Sequence, residues 1–364
     1  MGSATVYHLA QRGLRVLGLE RFGIPHELGS SHGVTRIIRL AYYEHPSYVP
    51  LLRRSYELWR ALESQAGEQL LYVHGSIDAG AEHSEVVQGS LLSCRLHDIP
   101  YELLTSAELR TRYPGYHLPA GHLALYQPEG GFLLPERCIV AHVEAARERG
   151  AEVHENETVL EWEPTAHGVR VVSDSGEYLA DRLVITAGAW ASKLVPSLNA
   201  LAIPERQVLG WFEPVRADVF ERDRFPVFNL LVDEGRYYGF PLFGVPGFKI
   251  GRYHHLGEVV DPDTIDREGY PQDEEILRIA VERYFPDAAG ALLSLKACMF
   301  TNSPDEHFII DLHPGDSRVS IAAGFSGHGF KFCSVVGEIM ADLAQHGGTR
   351  HDTSLFALSR FTSG

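Results

Sequence analysis

Cysteine is scarce in this 364-residue chain. The four present, Cys94, Cys138, Cys298 and Cys333, lie far apart and form no CxxC pair. That spacing argues against a disulfide framework or a zinc module and predicts a reduced, cytoplasmic protein with no metal site. Long apolar runs are missing as well: none approaches the roughly 18 residues that cross a bilayer. The N-terminus has no basic segment leading into an apolar one, so no secretory signal is expected. Positive charge is in deficit, with 32 Lys and Arg against 48 Asp and Glu and a net charge of −16. Scattered cations on an acidic chain disfavour nucleic acid or an anionic membrane as partner, but leave room for an anionic small molecule in a locally basic pocket. No internal repeat or low-complexity tract occurs. What remains, 45% hydrophobic and 22% charged residues, is the balance of a globular protein. The length suits two intimately joined domains.

Hydrophobic period sets out the order of elements. Residues 3–12 read as a helix ending at Gly13, a natural C-terminal cap, and 14–20 as a buried strand ending in Glu20. Val49, Leu52, Tyr56, Trp59 and Leu62 make a helical stripe over 47–63. Pro135 opens a further helix that Gly150 closes. Short strands follow around Val153, Val159, 169–172 and Leu179, then the apolar run 183–188. From about 205 to 262 the chain turns rich in Phe, Tyr, Gly and Pro, which predicts antiparallel sheet. A helix is expected at about 273–285. The end returns to an α/β pattern: strands 307–311 and 318–323, a glycine-rich turn, and a helix over 331–346. Nucleotide-like segments flanking all-β material predict a discontinuous cofactor domain, 1–80, 135–205 and 305–364. A substrate domain is expected to interrupt it at 81–134 and 206–304.

Gly2 at a helix start and Glu20 at the following strand end, 18 positions on, have the spacing of a dinucleotide fold. In that fold a glycine allows close helix–strand packing and the acid binds ribose hydroxyls. One Gly and one Glu are weak evidence alone. Longer strings are more specific: Gly-Ser-Ser-His-Gly-Val-Thr-Arg-Ile-Ile-Arg-Leu-Ala-Tyr at 29–42, Cys-Met-Phe-Thr-Asn-Ser-Pro-Asp-Glu-His-Phe-Ile-Ile-Asp-Leu-His-Pro at 298–314, and Ala-Gly-Phe-Ser-Gly-His-Gly-Phe-Lys at 323–331. These closely resemble the monomeric sarcosine oxidase and N-methyltryptophan oxidase family, FAD-dependent amine oxidases related to D-amino-acid oxidase, and the resemblance runs almost end to end. It implies an α/β fold, a glutathione-reductase-like FAD-binding domain with a mixed β-sheet substrate domain. The family pattern begins with a strand and Gly-x-Gly ahead of the position of Met1. The first strand is therefore expected to be missing from the chain as it stands, with the true start upstream.

The resemblance also implies roles. Arg39 and Lys331 match the residues that hold a substrate carboxylate, a fork and a point charge. Arg36 and Lys249 match positions at the flavin face opposite the substrate, where a fixed cation would stabilise charge developing on oxygen. His254 matches a histidine beside the substrate amine. One extra residue after Lys249 leaves His255 open as the alternative. His32 and Thr35 fall in the first string and are expected at the flavin. Tyr238 is retained at the pocket, whereas Phe300 stands where sarcosine oxidase has tyrosine, which bears on substrate identity. Cys298 matches the cysteine that links covalently to the flavin. Gly188 in Thr-Ala-Gly-Ala-Trp and Val159 match further FAD contacts, and Gly324, Gly327 and Gly329 form the turn whose following helix would face the flavin pyrimidine. The implied function is oxidation, as a monomer, of a small secondary amino acid to an imine that hydrolyses, with oxygen reduced to hydrogen peroxide. N-methyltryptophan, pipecolate or another cyclic amino acid, a dehydrogenase with a non-oxygen acceptor, and a flavin-poor remnant are the alternatives.

Overall fold

The computed structural model describes residues 1–361. The last three residues of the expected 305–364 segment lie outside the described residues. Helix Gly2–Gln11 packs between the helices Pro135–Arg147 and Cys333–His346. The crossing is close because Gly337 has no side chain: a Cβ there would meet the Cβ of Ala4 at 2.5 Å. Leu17–Leu19 pairs in parallel with Glu152–His154, and Leu183–Ile185 in parallel with Asp316–Ala323, which continues antiparallel to Ile309–His313. A meander of Val159–Thr165, Gly168–Ser173 and Glu177–Ala180 sits beside them.

The second half is built on an eight-stranded sheet. Its order is Leu292–Asn302, Ile203–Phe212, Phe248–Arg252, Gly235–Phe240, Val227–Val232, Ser76–Ala81, His122–Gln127 and Glu102–Thr105. Neighbours are antiparallel except Val227–Val232 with Ser76–Ala81, so the sheet is mixed. Phe212, Phe220, Phe225, Phe228, Phe248 and Phe285 are buried against it, and Tyr116 stacks on Phe225 with ring centroids 4.4 Å apart. Each such ring withdrawn from water is worth about 1.5–3 kcal/mol, which anchors the sheet that carries one wall of the site. A small sheet of Arg36–Ile38, Gly131–Leu133 and Leu71–Val73 joins the halves.

The helices expected at 3–12, 47–63, 135–150, 273–285 and 331–346 appear as Gly2–Gln11, Tyr48–Ala66, Pro135–Arg147, Pro271–Tyr284 and Cys333–His346. Helices Glu85–Leu96 and Ser106–Arg112 add to these. Their Ser84 and Thr105 caps each accept a backbone N–H of the first turn. The strand expected over 14–20 shrinks to Leu17–Leu19, since Leu14 and Arg15 are exposed. Ser76–Ala81, straddling the expected boundary at residue 80, belongs to the large sheet. No helix among the described residues is long and apolar enough to cross a membrane.

Candidate active site and cofactor cleft

A cavity of about 1460 Å³ lies in the first half and reaches the large-sheet half at Met299, Phe300 and Thr301. Gly2 and Ser3 line it at the N-terminal end of their helix, which has no capping side chain and no acid in its first turn. Free N–H groups and the positive helix end make that position fit for a pyrophosphate. Glu20, Val159 and Gly188 line the same cavity, as do Gly324, Gly327 and Gly329 at its other end with Arg36 and Phe300. Glu20 also accepts from the backbone N–H of Phe22 at 3.0 Å. His32 is 1% exposed and neither ring nitrogen has a partner among the described residues. Burial, then the nearby Arg36, pulls its pKa down to about 3. A buried neutral imidazole left unpaired is costly and fits a polar group seated against it. The residues present therefore suit a dinucleotide such as FAD.

Lys249 lies on strand Phe248–Arg252, 3% exposed. Its Nζ donates to the carbonyls of Gly33 (2.6 Å) and Thr35 (2.9 Å) and to Thr35 Oγ1 (3.0 Å). All three ammonium protons are thus engaged, leaving charge rather than a free donor as what it offers. Burial, then Arg36, pulls its pKa well below the ordinary value. The 33–35 turn is held in place by Glu136, which accepts from the N–H groups of Gly33 (2.7 Å) and Val34 (3.1 Å). Arg36 donates to the carbonyls of Thr35 and Ser30, both at 3.0 Å, and its Nη2 stands 3.8 Å from Cys298 Sγ. Lys249, Thr35, Arg36 and Cys298 are brought together from two sheets and a loop.

Arg39 and Lys331 form a second cluster. Arg39 is 1% exposed, with its guanidinium 4.4 and 4.3 Å from the ring centroids of Tyr42 and Tyr43. Nη2 donates to both Glu44 oxygens at 2.9 and 2.8 Å, and Asp78 lies 3.7 Å from Nε. Burial opposes the Glu44 charge, yet Arg39, His328 and Lys331 hold its carboxyl down to about 2. Lys331 is buried, and the one hydrogen bond of its ammonium among the described residues goes to the His328 carbonyl at 2.7 Å. Burial, then Arg39, lowers its pKa to about 7, against a partial pull upward from Glu44. The helix Tyr48–Ala66 fixes this residue through Trp59, whose Nε1 donates to the Lys331 carbonyl at 3.0 Å.

The two candidate histidines part company. His254 has Nδ1 3.2 Å from Glu205 and Nε2 2.9 Å from Glu306. His255 is buried, with Nε2 2.8 Å from Asp273, an acid that also pairs with Arg206. Tyr238 packs its ring 5.2 Å from that of Tyr253, which in turn lies 5.6 Å from Phe300. Gly327 meets Phe300 from the other side, at φ +76°, where a Cβ would approach the ring to 2.3 Å.

Sequence reasoning missed the acids that complete these clusters. Glu44, five residues after Arg39, carried a local signal. Asp78 and Glu205 did not, since each reaches its partner across tertiary structure. Among the described residues no group of acids, histidines and cysteines could hold a metal ion.

The model of the FAD dependent oxidoreductase family (DAO) matches residues 1–343. A monomeric sarcosine oxidase of Bacillus sp. (strain NS-129) is 44% identical over 365 residues, covering 99% of this chain and 94% of that protein. The N-methyl-L-tryptophan oxidase of Yersinia pestis (strain Pestoides F) is 36% identical over 363 residues, 99% of this chain and 96% of that one. Among solved structures, the open form of NikD, an unusual amino acid oxidase essential for nikkomycin biosynthesis, superposes with a TM-score of 0.83 at 25% identity. That alignment covers 98% of this chain and 94% of NikD. With a large cleft lined by the end of the Gly2–Gln11 helix, by Glu20 and by the glycines of the 324–329 turn, the chain belongs to the FAD-dependent oxidoreductase family.

Proposed function

We propose that this protein is an amine oxidase that acts, as a monomer, on a small secondary amino acid of the sarcosine type, with FAD attached through Cys298. The observation that carries the substrate class is Lys331, a buried ammonium whose only described hydrogen bond is to a backbone carbonyl. Glu44 acts on this cation at a distance, but among the described residues no carboxylate pairs with it directly, and a substrate carboxylate would supply that partner. Arg39 adds the fork, once Glu44 yields or shares it. Bound FAD would supply the two-electron acceptor.

The chain's own contribution is placement and charge. Lys331 and Arg39 would orient the amino acid by its carboxylate, and Phe300, Tyr253 and Tyr238 would shape the apolar wall against the N-methyl side. Lys249, with its protons committed to the 33–35 turn, would place a positive charge for oxygen reduction whenever it is protonated. Cys298 on strand Leu292–Asn302, with its Sγ 3.8 Å from Arg36 Nη2, would hold the flavin through a thioether. The imine product would take up water after release, and oxygen would leave as hydrogen peroxide.

The test is peroxide production under air with sarcosine, pipecolate and N-methyltryptophan, each beside its neutral ester or amide. Turnover of a small N-methyl or cyclic amino acid, with the uncharged analogue at least tenfold slower, is the expected result. Peroxide formation from none of them, or equal rates for acid and ester, would overturn the proposal.

A further inference from the structure

His254 sits in the turn after strand Phe248–Arg252, at φ +53°, in the left-handed region that a residue with a Cβ rarely adopts. Something must hold it there. Its Nδ1 lies 3.2 Å from both oxygens of Glu205 and its Nε2 2.9 Å from Glu306 Oε1. A neutral imidazole carries one N–H and can serve one carboxylate; two carboxylates on opposite nitrogens require the imidazolium. The acids come from different elements. Glu205 belongs to strand Ile203–Phe212 and also accepts from Gln207 (2.5 Å) and Asn302 (3.0 Å). Glu306 lies in the loop after strand Leu292–Asn302 and also pairs with Arg236 at 3.3 Å.

The clamp is tied to the pocket. Glu205 stands opposite Phe300, and Gln207 opposite Cys298, in the strand register, so all four side chains share one sheet face. The residue next to His254, Tyr253, lays its ring 5.6 Å from Phe300 and 5.2 Å from Tyr238, with the Arg236 guanidinium 4.0 Å above it. Phe300 lines the large cavity.

We propose that His254 is a positioning residue: held as an imidazolium between Glu205 and Glu306, it pins the turn so that Tyr253 closes the substrate-pocket wall, and the wall loosens when this histidine loses its proton. The proposal rests on the reading of the pocket given above. The groups facing His254 are Glu205, Glu306 and the Asn302 amide, with Arg236 and Arg252 on the adjoining strands. Hydrogen bonds donated to Glu205 and then to Glu306 raise its pKa to about 9 against the opposing effect of burial. The folded value is raised, so the clamp is intact below the ordinary histidine value of about 6.5 and is lost as pH rises through about 9. Glu205→Gln removes the stronger of the two carboxylate partners and would move that loss to lower pH.

The experiment uses the flavin-containing protein. Hydrogen exchange of the peptide spanning 252–258, corrected for the intrinsic pH dependence, is followed from pH 7 to 10 in wild type, Glu205→Gln and Glu205→Asp. Labelled-histidine NMR on the same proteins reads the titration of His254 directly. The expected result is a loss of protection, about tenfold or more, centred near pH 9 in wild type and at least one pH unit lower in Glu205→Gln, with Glu205→Asp between. KM for the small amino acid should follow protection across the same pH range, rising more than kcat falls. A His254 titration near 6.5 in wild type, or protection that ignores both pH and Glu205→Gln, would overturn the clamp. Protection that shifts while KM does not would overturn the pocket wall. Exchange and NMR need no substrate, so absence of amino-acid turnover would count against the proposed function and leave the clamp to be judged separately.

Discussion

Removing the positive charge of Lys331 should abolish a pH dependence that wild type displays. In the free site burial and Arg39 bring this ammonium to about 7. A carboxylate seated against it would restore a value near the ordinary one of about 10.4. Binding then takes up a proton wherever the free lysine is neutral, so affinity falls as pH rises above about 7. Between pH 6 and 8 the dissociation constant of an amine-free monocarboxylate should rise about tenfold, about 1.4 kcal/mol. That range lies below the His254 transition. Propionate is the probe because it has no amine to titrate, and the flavin absorbance change on binding gives the constant. Lys331→Met should bind propionate roughly 10–150-fold more weakly at pH 6, the equivalent of one lost charge-assisted hydrogen bond at roughly 1.5–3 kcal/mol, with no slope to pH 8. A flat wild-type profile, or a Lys331→Met protein that keeps the wild-type slope, would refute the assignment.

If Cys298 carries the flavin, yellow colour should stay with acid-precipitated wild type and enter the supernatant in Cys298→Ala; colour released from wild type would sink the link. Arg39→Met should lower kcat/KM for amino acids by roughly 10–150-fold and for neutral amines far less. It should also depress the melting temperature, since stranding the buried Glu44 and Asp78 costs about 3–5 kcal/mol; equal losses for both substrate types would make Arg39 purely structural. Gly327→Ala should destabilise by about 1–3 kcal/mol in a denaturant titration and raise KM, because its Cβ would meet Phe300 at 2.3 Å in a left-handed backbone; an unchanged midpoint would show that the turn relaxes freely.

Long helices were legible because their apolar period is local. The stripe from Val49 to Leu62 needed no partner to be seen, and the observed helix, Tyr48–Ala66, extends the expected 47–63 by three residues at the C-terminal end. Glu85–Leu96 was not, since its apolar face is interrupted by Ser90 and Ser93, which are buried through hydrogen bonds to Asp78 and the Tyr42 carbonyl. Strand pairing was illegible for a different reason. Nothing local says that Ser76–Ala81 runs parallel to Val227–Val232, roughly 150 residues on, because register is fixed by which faces are buried together. The site showed the same division. Strings such as 29–42 named Arg36 and Arg39 through resemblance. The carboxylates that pair with Arg39, Glu44 and Asp78, lie at positions outside those strings. The two carboxylates that flank His254, Glu205 and Glu306, were linked to it by no spacing.

The two cations near the proposed carboxylate site are not equivalent, and the difference predicts a proton count. Arg39 is answered by Glu44 and Asp78 before any ligand arrives, so it adds shape more than net charge. Lys331, brought to about 7 in the free site, is the group whose protonation an incoming anion would drive. Amine oxidation needs the opposite at the substrate nitrogen, because only the neutral amine has a lone pair. An amino acid that arrives as a zwitterion can thus lose one proton from nitrogen while Lys331 gains one. At pH 8, propionate binding should take up about 0.9 proton, the fraction of Lys331 that is neutral in the free site for a value of about 7. A zwitterion that cannot be oxidised, such as α-aminoisobutyrate, should bind with a net change near zero. Calorimetry in two buffers of different ionisation enthalpy measures both. Equal uptake for the two ligands would mean that the amine stays protonated in the pocket. No uptake for propionate would remove Lys331 from the carboxylate site and refute the argument.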